Sequence, residues 1–414
     1  MDFLRKRLPI ILGSVIAVVI ILVAVYFVFF RTATPPGTVD GDPFGGSGSS
    51  DIPGGGAPSV LDGGIEFSGD AGVQVGPRLV RITAAPVAYG VAALFIPEVP
   101  AETTAAGVII PAIPPDIEVR FIERQSGNVY AYRVHARTLT RISNQTIPGV
   151  REAVWLSDGS QVYLRFLSED AEVHMETYAL PAEGEGGFFL EQDLMDVAAT
   201  STTGLLTLQS DTNGAIGTIA SADGSAPKTA FTTTLSSIVT SFFGKGYLVS
   251  TKTSAGLSGY SFSVSSAGTW SRLLGPLPGL SVIGNQTGAE VLYSNSTNGG
   301  VRTTLMDTAT HTPIPLPIAT LAEKCTFSSS GALAYCAVPK TLDGALPDDW
   351  YRGVVSFSDR IWQVSITDRS ATLLVDPTEV GQVDIDAVSL TPDPTNDVLV
   401  FTNKKDGSLW VYDL

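Results

Sequence analysis

The sequence predicts an all-β fold, a β-propeller of seven four-stranded blades preceded by one transmembrane helix. Two observations indicate the propeller. The phrase Leu79-Val80-Arg81-Ile82-Thr83 recurs as Leu139-Thr140-Arg141-Ile142-Ser143, but only the second copy follows a four-strand unit. At the other end of the chain, Leu390 to Leu414 supplies three strands and then stops. An isolated outer strand and an unfinished unit can pair, which closes a ring and removes both exposed edges.

The transmembrane helix is predicted at residues 8–30, which form 23 consecutive uncharged and mostly apolar positions. At about 1.5 Å per residue, a helix of this length crosses the roughly 30 Å hydrocarbon core. Arg5, Lys6 and Arg7 precede it, and no Lys or Arg lies between Arg31 and Arg78. This bias predicts a single-pass protein of the cytoplasmic membrane, with a basic cytoplasmic tail at 1–7 and everything after the span outside. A cleaved signal peptide is the less favoured alternative, because its apolar region is usually about 7 to 15 residues long.

Residues 31–78 are predicted to form a flexible linker, because they are rich in Gly, Pro, Ser and Asp. Such a segment cannot bury enough apolar surface to offset the entropy of ordering it. The 46 residues from Thr32 to Pro77 would reach roughly 40 Å, enough to hold a domain clear of the membrane.

The propeller is predicted at 79–414, where short Val, Ile, Tyr, Phe and Thr runs alternate with Gly, Asp, Asn and Ser turns. Seven segments match the third strand of a blade: 127–132, 171–176, 214–219, 259–264, 300–305, 359–364 and 407–412. These 336 residues give 48 per unit, close to the roughly 40 to 50 of known blades. The pattern is degenerate from about residue 197 to 322, so the sequence alone leaves open a count of six or eight blades.

Two segments carry a recognisable repeat motif, Leu156-Ser157-Asp158-Gly159-Ser160 and Asp406-Gly407-Ser408-Leu409-Trp410-Val411-Tyr412-Asp413-Leu414. They resemble the TolB-type, WD-repeat-like propeller repeats of bacterial envelope proteins. The resemblance extends over the region from residue 79 onward, although only these two blades match well. Because the repeat motif is structural, the resemblance implies a fold and no catalytic residues.

Composition and motifs exclude several classes of function. A formal charge of −16 and a pI of about 4.5 repel nucleic acid and provide no basic patch for anionic lipid. The sequence contains no Gly-x-Ser-x-Gly elbow, no metal-spaced histidine pair and no phosphate loop. We therefore expect no cofactor, no metal and no partner nucleic acid, and the balance leans away from an enzyme.

Cys325 and Cys336 are the two cysteines of the chain and fall in one predicted hairpin. With a turn at Ser330-Gly331 they lie directly opposite each other, at a cross-strand separation that allows a disulfide. Two buried free thiols are an equally weighted alternative.

Two insertions interrupt the blade pattern and supply candidate binding residues. The first, Pro97 to Asp116, contains a proline-stiffened apolar run that includes Val108, Ile109, Ile110 and Ile113. If exposed, this run is a ready contact for a protein partner, whereas the alternative is a lid folded over the propeller.

The second insertion, Lys340 to Arg352, carries Trp350 and Tyr351 directly after two aspartates. Aromatic residues beside acids suit a binding hot spot or a sugar platform, and equally a local plug.

Carboxylates at the starts of innermost strands supply a competing prediction. Asp384 and Asp386 precede such a strand, and Glu152 and Glu323 hold similar places. Paired carboxylates could serve glycoside hydrolysis, although loop acids of an acidic protein are more often simply solvated.

The leading hypothesis is a membrane-anchored, extracytoplasmic propeller that acts as a non-catalytic protein-interaction or envelope-assembly module. Its partner would be an envelope or surface protein, and residues 8–30 would bind the membrane. The alternative is a carbohydrate-binding or glycan-cleaving propeller that uses carboxylates at the mouth of the channel.

Overall fold

The structure is a computed structural model, and it describes residues 72–103, 109–168, 173–183, 186–200, 204–297 and 300–414. These residues form six four-stranded sheets and one five-stranded sheet, all antiparallel and ordered as blades, so the predicted seven-bladed all-β propeller is confirmed. The predicted tail, membrane span and most of the linker lie outside the described residues. Within the described residues, no helix is long and apolar enough to cross a membrane.

The seven blades follow one another along the chain, and each blade runs from its innermost strand outward. Blade 1 comprises Ala92–Ile96, Asp116–Ile122, Val129–Arg133 and Thr138–Arg141, and blade 2 comprises Glu152–Trp155, Gln161–Leu167, Met175–Pro181 and Phe188–Phe189. Blade 3 comprises Leu194–Thr200, Gly204–Asp211, Gly214–Ala220 and Lys228–Thr233, and blade 4 comprises Ile238–Phe243, Gly246–Thr251, Ser258–Val264 and Trp270–Pro278. Blade 5 comprises Ser281–Gly284, Glu290–Thr297, Gly300–Asp307 and Thr312–Pro315, and blade 6 comprises Cys325–Phe327, Leu333–Pro339, Asp359–Ser365 and Ser370–Val375. Blade 7 comprises Ala387–Pro392, Val398–Asn403, Leu409–Asp413 and Leu79–Thr83.

Few elements lie outside this pattern. A two-stranded sheet, Glu102–Thr103 with Ile109–Ile110, projects from blade 1. One 3-10 helix spans Ala322–Lys324, and two four-residue helices span Asp348–Tyr351 and Pro377–Val380.

The ring closes where the sequence predicted it to close. Leu79–Thr83 pairs antiparallel with Leu409–Asp413, with Leu79 opposite Tyr412 and Val80 opposite Val411. Both copies of the repeated phrase therefore lie in fourth strands, one in blade 1 and one in blade 7. The N-terminal strand supplies the partner that the unfinished last blade lacked.

Of the eight hydrophobic clusters of the described residues, seven lie between neighbouring blades and one contains Trp350 of the second insertion. Leu79 packs in the cluster between blades 6 and 7, whereas Ile82 packs in the cluster between blades 7 and 1. Five further clusters fill the remaining blade interfaces. The closing strand thus holds two interfaces together, because its alternate side chains point to opposite faces of the sheet.

Two details differ from the prediction. The third strand of blade 2 is Met175–Pro181 and not 171–176, since Gln161–Leu167 pairs with it from Pro181 back to Met175. Within this strand, Tyr178, Ala179 and Leu180 are buried in the clusters on the two sides of blade 2. In addition, Val73–Gln74 lies within the predicted linker yet forms a short fifth strand outside Leu79–Thr83.

The Asp-Gly-Ser part of the repeat motif forms a tight turn that its own side chains stabilise. In the turn before the last strand, Asp406 accepts hydrogen bonds from the Ser408 amide and hydroxyl, at 2.9 and 2.6 Å. Gly407 between them has φ +75°, and a Cβ there would lie 2.8 Å from Pro86. A glycine is required at this position both by the backbone conformation and by the close approach.

Cys325 and Cys336 are direct register partners in blade 6, as the hairpin predicted. Their sulfur atoms are bonded in a disulfide. This bond ties the innermost strand of blade 6 to its neighbour, directly after the helical turn Ala322–Lys324.

The connections define two faces of the ring. Loops that lead into innermost strands, and loops between second and third strands, lie on what we name the upper face. Loops between first and second strands lie on the lower face. The insertion of blade 6, residues 340–358, is therefore on the upper face with Asp384 and Asp386, whereas the insertion of blade 1 is on the lower face.

Candidate functional site

A fully buried lysine, Lys324, ends the helical turn that leads into the innermost strand of blade 6. The Lys324 ammonium is 2.9 Å from the Asp359 carboxylate and 2.6 Å from the Asp386 carboxylate. It also donates to the Ala387 carbonyl at 2.9 Å. All three charged side chains have no solvent-exposed surface. We name Lys324, Asp359 and Asp386 the buried triad.

Asp386 connects the triad to the insertion of blade 6. Its carboxylate accepts a hydrogen bond from the Trp350 indole at 2.9 Å and one from the Phe357 amide at 3.0 Å. The Trp350 and Phe357 rings stack at 5.9 Å, and the Lys324 ammonium lies 4.9 Å from the Trp350 ring. Trp350 is buried. It therefore acts as the local plug, which was one of the predicted alternatives, and fixes the insertion over the core.

The insertion is held from several neighbouring blades. Lys404 of blade 7 donates to the Trp350 carbonyl and lies 3.7 Å from its ring. Asp348 accepts hydrogen bonds from the Ser254 hydroxyl and the Ala255 amide of blade 4, both at 3.1 Å. These contacts place Tyr351, the last residue of the short helix, in a defined position on the upper face.

The triad carries two carboxylates and one ammonium, so one negative charge is in excess. Burial and the neighbouring Asp386 charge raise the pKa of Asp359 to about 6, although the positive charge of Lys324 and its hydrogen bond act to lower it. Burial also acts to raise the pKa of Asp386, but Lys324 and the hydrogen bonds from Phe357 and Trp350 outweigh it and hold this pKa below its usual range. The Asp359 Oδ1 atom is buried and has no hydrogen-bond partner among the described residues. Asp359 is therefore the member of the triad that takes up a proton first.

This pKa predicts an unusual pH dependence of stability. Between pH 3.8 and about 6 the folded protein binds a proton at Asp359 that the unfolded chain releases. The contribution of Asp359 to the free energy of unfolding should therefore increase as pH falls through this window, by at most about 1.4 kcal/mol per pH unit. Urea unfolding of wild type and of Asp359→Asn at a series of pH values measures the difference. A difference that is flat, or that increases with pH, would contradict the assignment.

A pocket of about 370 Å³ opens on the upper face across blades 4, 5 and 6. Its lining combines side chains of the three blades with one residue of the insertion: Val239, Ser250, Thr251, Lys252, Thr253, Ser281, Val282, Glu323 and Tyr351. Glu323 is the one acid among these lining residues. The volume lies near the lower end of the range for small-molecule sites.

Glu323 and Tyr351 form the blade 6 side of this pocket. The Tyr351 hydroxyl donates to the Glu323 carboxylate at 2.5 Å. Enclosure by the surrounding protein raises the pKa of Glu323 despite this hydrogen bond and the nearby Lys324 and Lys404. Enclosure, followed by the Glu323 charge, also raises the pKa of Tyr351. Both side chains still contact solvent, because the pocket is open.

The predicted carboxylates do not share one site. Asp386 belongs to the buried triad, whereas Asp384 forms an exposed ion pair with Lys405. Glu152 pairs with Arg165 at 2.7 Å, on blade 2. The pocket therefore contains one carboxylate where glycoside hydrolysis needs two at about 5 to 9.5 Å.

The insertion of blade 1 is a β-hairpin on the lower face, and we name residues 97–115 the lower hairpin. Every described residue in it is exposed, including Ile109 at 72% and Ile113 at 58%. Ile110 and Val99 are also exposed, while Val108 lies outside the described residues. The described part is thus no lid folded over the propeller.

No local sequence pattern marks Lys324, Asp359 or most of the pocket. A lysine that precedes a strand resembles any solvated loop charge, and its two partners are distant in sequence: Asp359 begins the third strand of blade 6, and Asp386 directly precedes blade 7. Glu323 was noted only for its place before an innermost strand. The pocket residues of blades 4 and 5 fall where the repeat pattern is degenerate, so no local signal marked them.

Comparison with known proteins adds no assignment: no protein-family model matches the chain, and no curated protein matches it significantly. The functional conclusion therefore depends on the residues described above.

Proposed function

We propose that this protein is a membrane-tethered, extracytoplasmic β-propeller that binds a protein partner through the lower hairpin. The predicted span at 8–30 would anchor the chain, and the predicted linker would hold the ring away from the bilayer. The propeller would be a rigid, non-catalytic platform for the hairpin.

The observation that carries this proposal is the exposure of large apolar side chains on the hairpin. Val99, Ile109, Ile110 and Ile113 are exposed within one short segment. Exposed apolar clusters of this kind are typical of protein–protein contacts. Prolines on both arms restrict the segment before binding, so less entropy is lost when a partner orders it.

The backbone of the hairpin offers a second means of recognition. Glu102–Thr103 and Ile109–Ile110 pair only with each other among the described strands, so their outer edges have free peptide groups. An extended segment of a partner can add to such an edge, while its side chains contact the isoleucines. This favours a partner protein with an extended or edge-strand segment.

Cross-linking in native membranes tests the proposal. We expect Ile109→Ser combined with Ile113→Ser to reduce recovery of the wild-type partner by about tenfold or more, because two apolar contacts are lost. The melting temperature should stay nearly unchanged, since both side chains are exposed. The measurement is a quantitative comparison of cross-linked proteins recovered with tagged wild-type and variant full chains.

Leu257→Ser combined with Val354→Ser is the matched control. Both residues are 69% exposed, and both lie in upper-face loops. This control should recover the partner as wild type does. Equal recovery with the hairpin variant would rule out the hairpin as the binding surface.

The glycan alternative has less support. Glu323 is the one lining carboxylate of the pocket, and Lys324 and Lys405 already engage Asp386 and Asp384. Cleavage of a glycan by wild type and not by Glu323→Gln would establish that alternative instead.

A further inference from the structure

The upper-face pocket has a charge separation that the partner-binding proposal does not use. Lys252 belongs to the loop between the second and third strands of blade 4, whereas Glu323 leads into blade 6. Ser281, at the start of blade 5, lies between these two blades. The pocket thus has a positive side and a negative side, with a hydroxyl group between them.

The polar groups of the lining fall into two sets. The Ser250 hydroxyl donates to Ser261 at 2.9 Å and the Thr253 hydroxyl donates to the Leu280 carbonyl at 2.9 Å, so both serve the fold. In contrast, the Lys252 ammonium and the Ser281 hydroxyl form no hydrogen bond with any described residue. The described residues also include no lysine, arginine or histidine in an ion pair with Glu323.

Glu323 forms no ion pair with a described residue, although Lys324 and Lys404 are near enough to favour its charged form. It is enclosed, and its described hydrogen-bond donor is the neutral Tyr351 hydroxyl. An ammonium group from a ligand would compensate this carboxylate and would lie beside the Tyr351 ring. Lys252 offers the complementary contact to a carboxylate on the same ligand.

The remaining lining residues limit the size of the ligand and favour an apolar central part. Val239 and Val282 provide an apolar wall, and a volume of about 370 Å³ accommodates only a small molecule. A neutral sugar would form no ionic contact with the enclosed Glu323 or with Lys252, which is exposed to solvent. A simple cation or a simple anion would compensate one of them.

We propose that this pocket binds a small zwitterion of the free amino acid class with a short aliphatic side chain. Its ammonium group contacts Glu323, its carboxylate contacts Lys252, and its aliphatic part packs against Val239 and Val282. The site lies on the face opposite the lower hairpin and is independent of partner binding.

Isothermal titration of the full chain in detergent tests this with matched probes. Alanine, valine and norvaline carry both charges, butylamine lacks the carboxylate of norvaline, and pentanoate lacks its ammonium group. We expect at least one amino acid to bind, and butylamine and pentanoate to bind at least about tenfold more weakly than norvaline, because each loses one charged contact.

Three variants complete the test. Glu323→Gln and Lys252→Met should each weaken amino acid binding by about tenfold or more. Lys245→Met is the control, because Lys245 is an exposed residue in the lower-face turn of blade 4. No binding of the three amino acids up to about 10 mM, equal binding of butylamine or pentanoate, or unchanged affinity in the two pocket variants would each overturn the proposal.

Discussion

Replacement of Lys324 by methionine is expected to destabilise the protein by about 3 to 5 kcal/mol, measured as the free energy of unfolding in urea. The substitution leaves the Asp359 and Asp386 carboxylates buried without their ammonium partner. It also removes a cation from beside the Trp350 ring. The insertion of blade 6 should loosen together with the interface between blades 6 and 7.

The triple variant Lys324→Met, Asp359→Asn and Asp386→Asn separates charge from packing. Because it removes all three buried charges together, it should be more stable than Lys324→Met alone. If the triple variant is less stable than the single one, the buried triad is not held together by charge compensation. Asp384→Asn is the control, since Asp384 is exposed and outside the triad.

Shortening of buried side chains in the closing strand, Leu79–Thr83, is the second change with a large expected effect. Leu79→Ala and Ile82→Ala should each lower the free energy of unfolding by about 2 to 5 kcal/mol, because both side chains are fully buried. The two losses should be nearly additive, since Leu79 and Ile82 belong to different clusters on opposite sides of blade 7. Thermal and urea unfolding of the single and double variants measure them.

Ile109→Ala is the matched control for that series. It removes a similar apolar volume from a side chain that is largely exposed, so the change should be within about 0.5 kcal/mol. Losses at Leu79 and Ile82 as small as this would show that the N-terminal strand does not contribute to the core.

Most of the fold could be predicted from the sequence because it is encoded locally. Alternating apolar runs and Gly-containing turns such as Asp406-Gly407-Ser408 mark individual hairpins, and the repeated phrase at Leu79 and Leu139 marks outer strands. The register of Cys325 opposite Cys336 also follows from its own hairpin. The third strand of blade 2 was predicted too early in the chain, because the sequence shows no sharp boundary between the acidic residues and the apolar run that follows them.

The sites depend on contacts between blades, which local patterns do not reveal. Burial of Lys324 depends on two ion pairs: one with Asp359, in another strand of blade 6, and one with Asp386, which precedes blade 7. Likewise, the pocket brings Lys252 and Glu323 together from blades 4 and 6. The lower hairpin could be predicted as a candidate contact, but its exposure could be decided only by the structure.

The closed ring is tested most directly by an engineered cross-link between Val80→Cys and Val411→Cys in the full chain. These two positions are direct partners across the seam, close enough for a disulfide under mild oxidation. Val80→Cys with Val239→Cys in blade 4 is the control pair and should not link. We expect mass spectrometry to recover a linked peptide containing both engineered cysteines. If the linked Cys325–Cys336 peptide is recovered but the peptide that joins the two engineered cysteines is not, closure of the propeller by its own ends is contradicted.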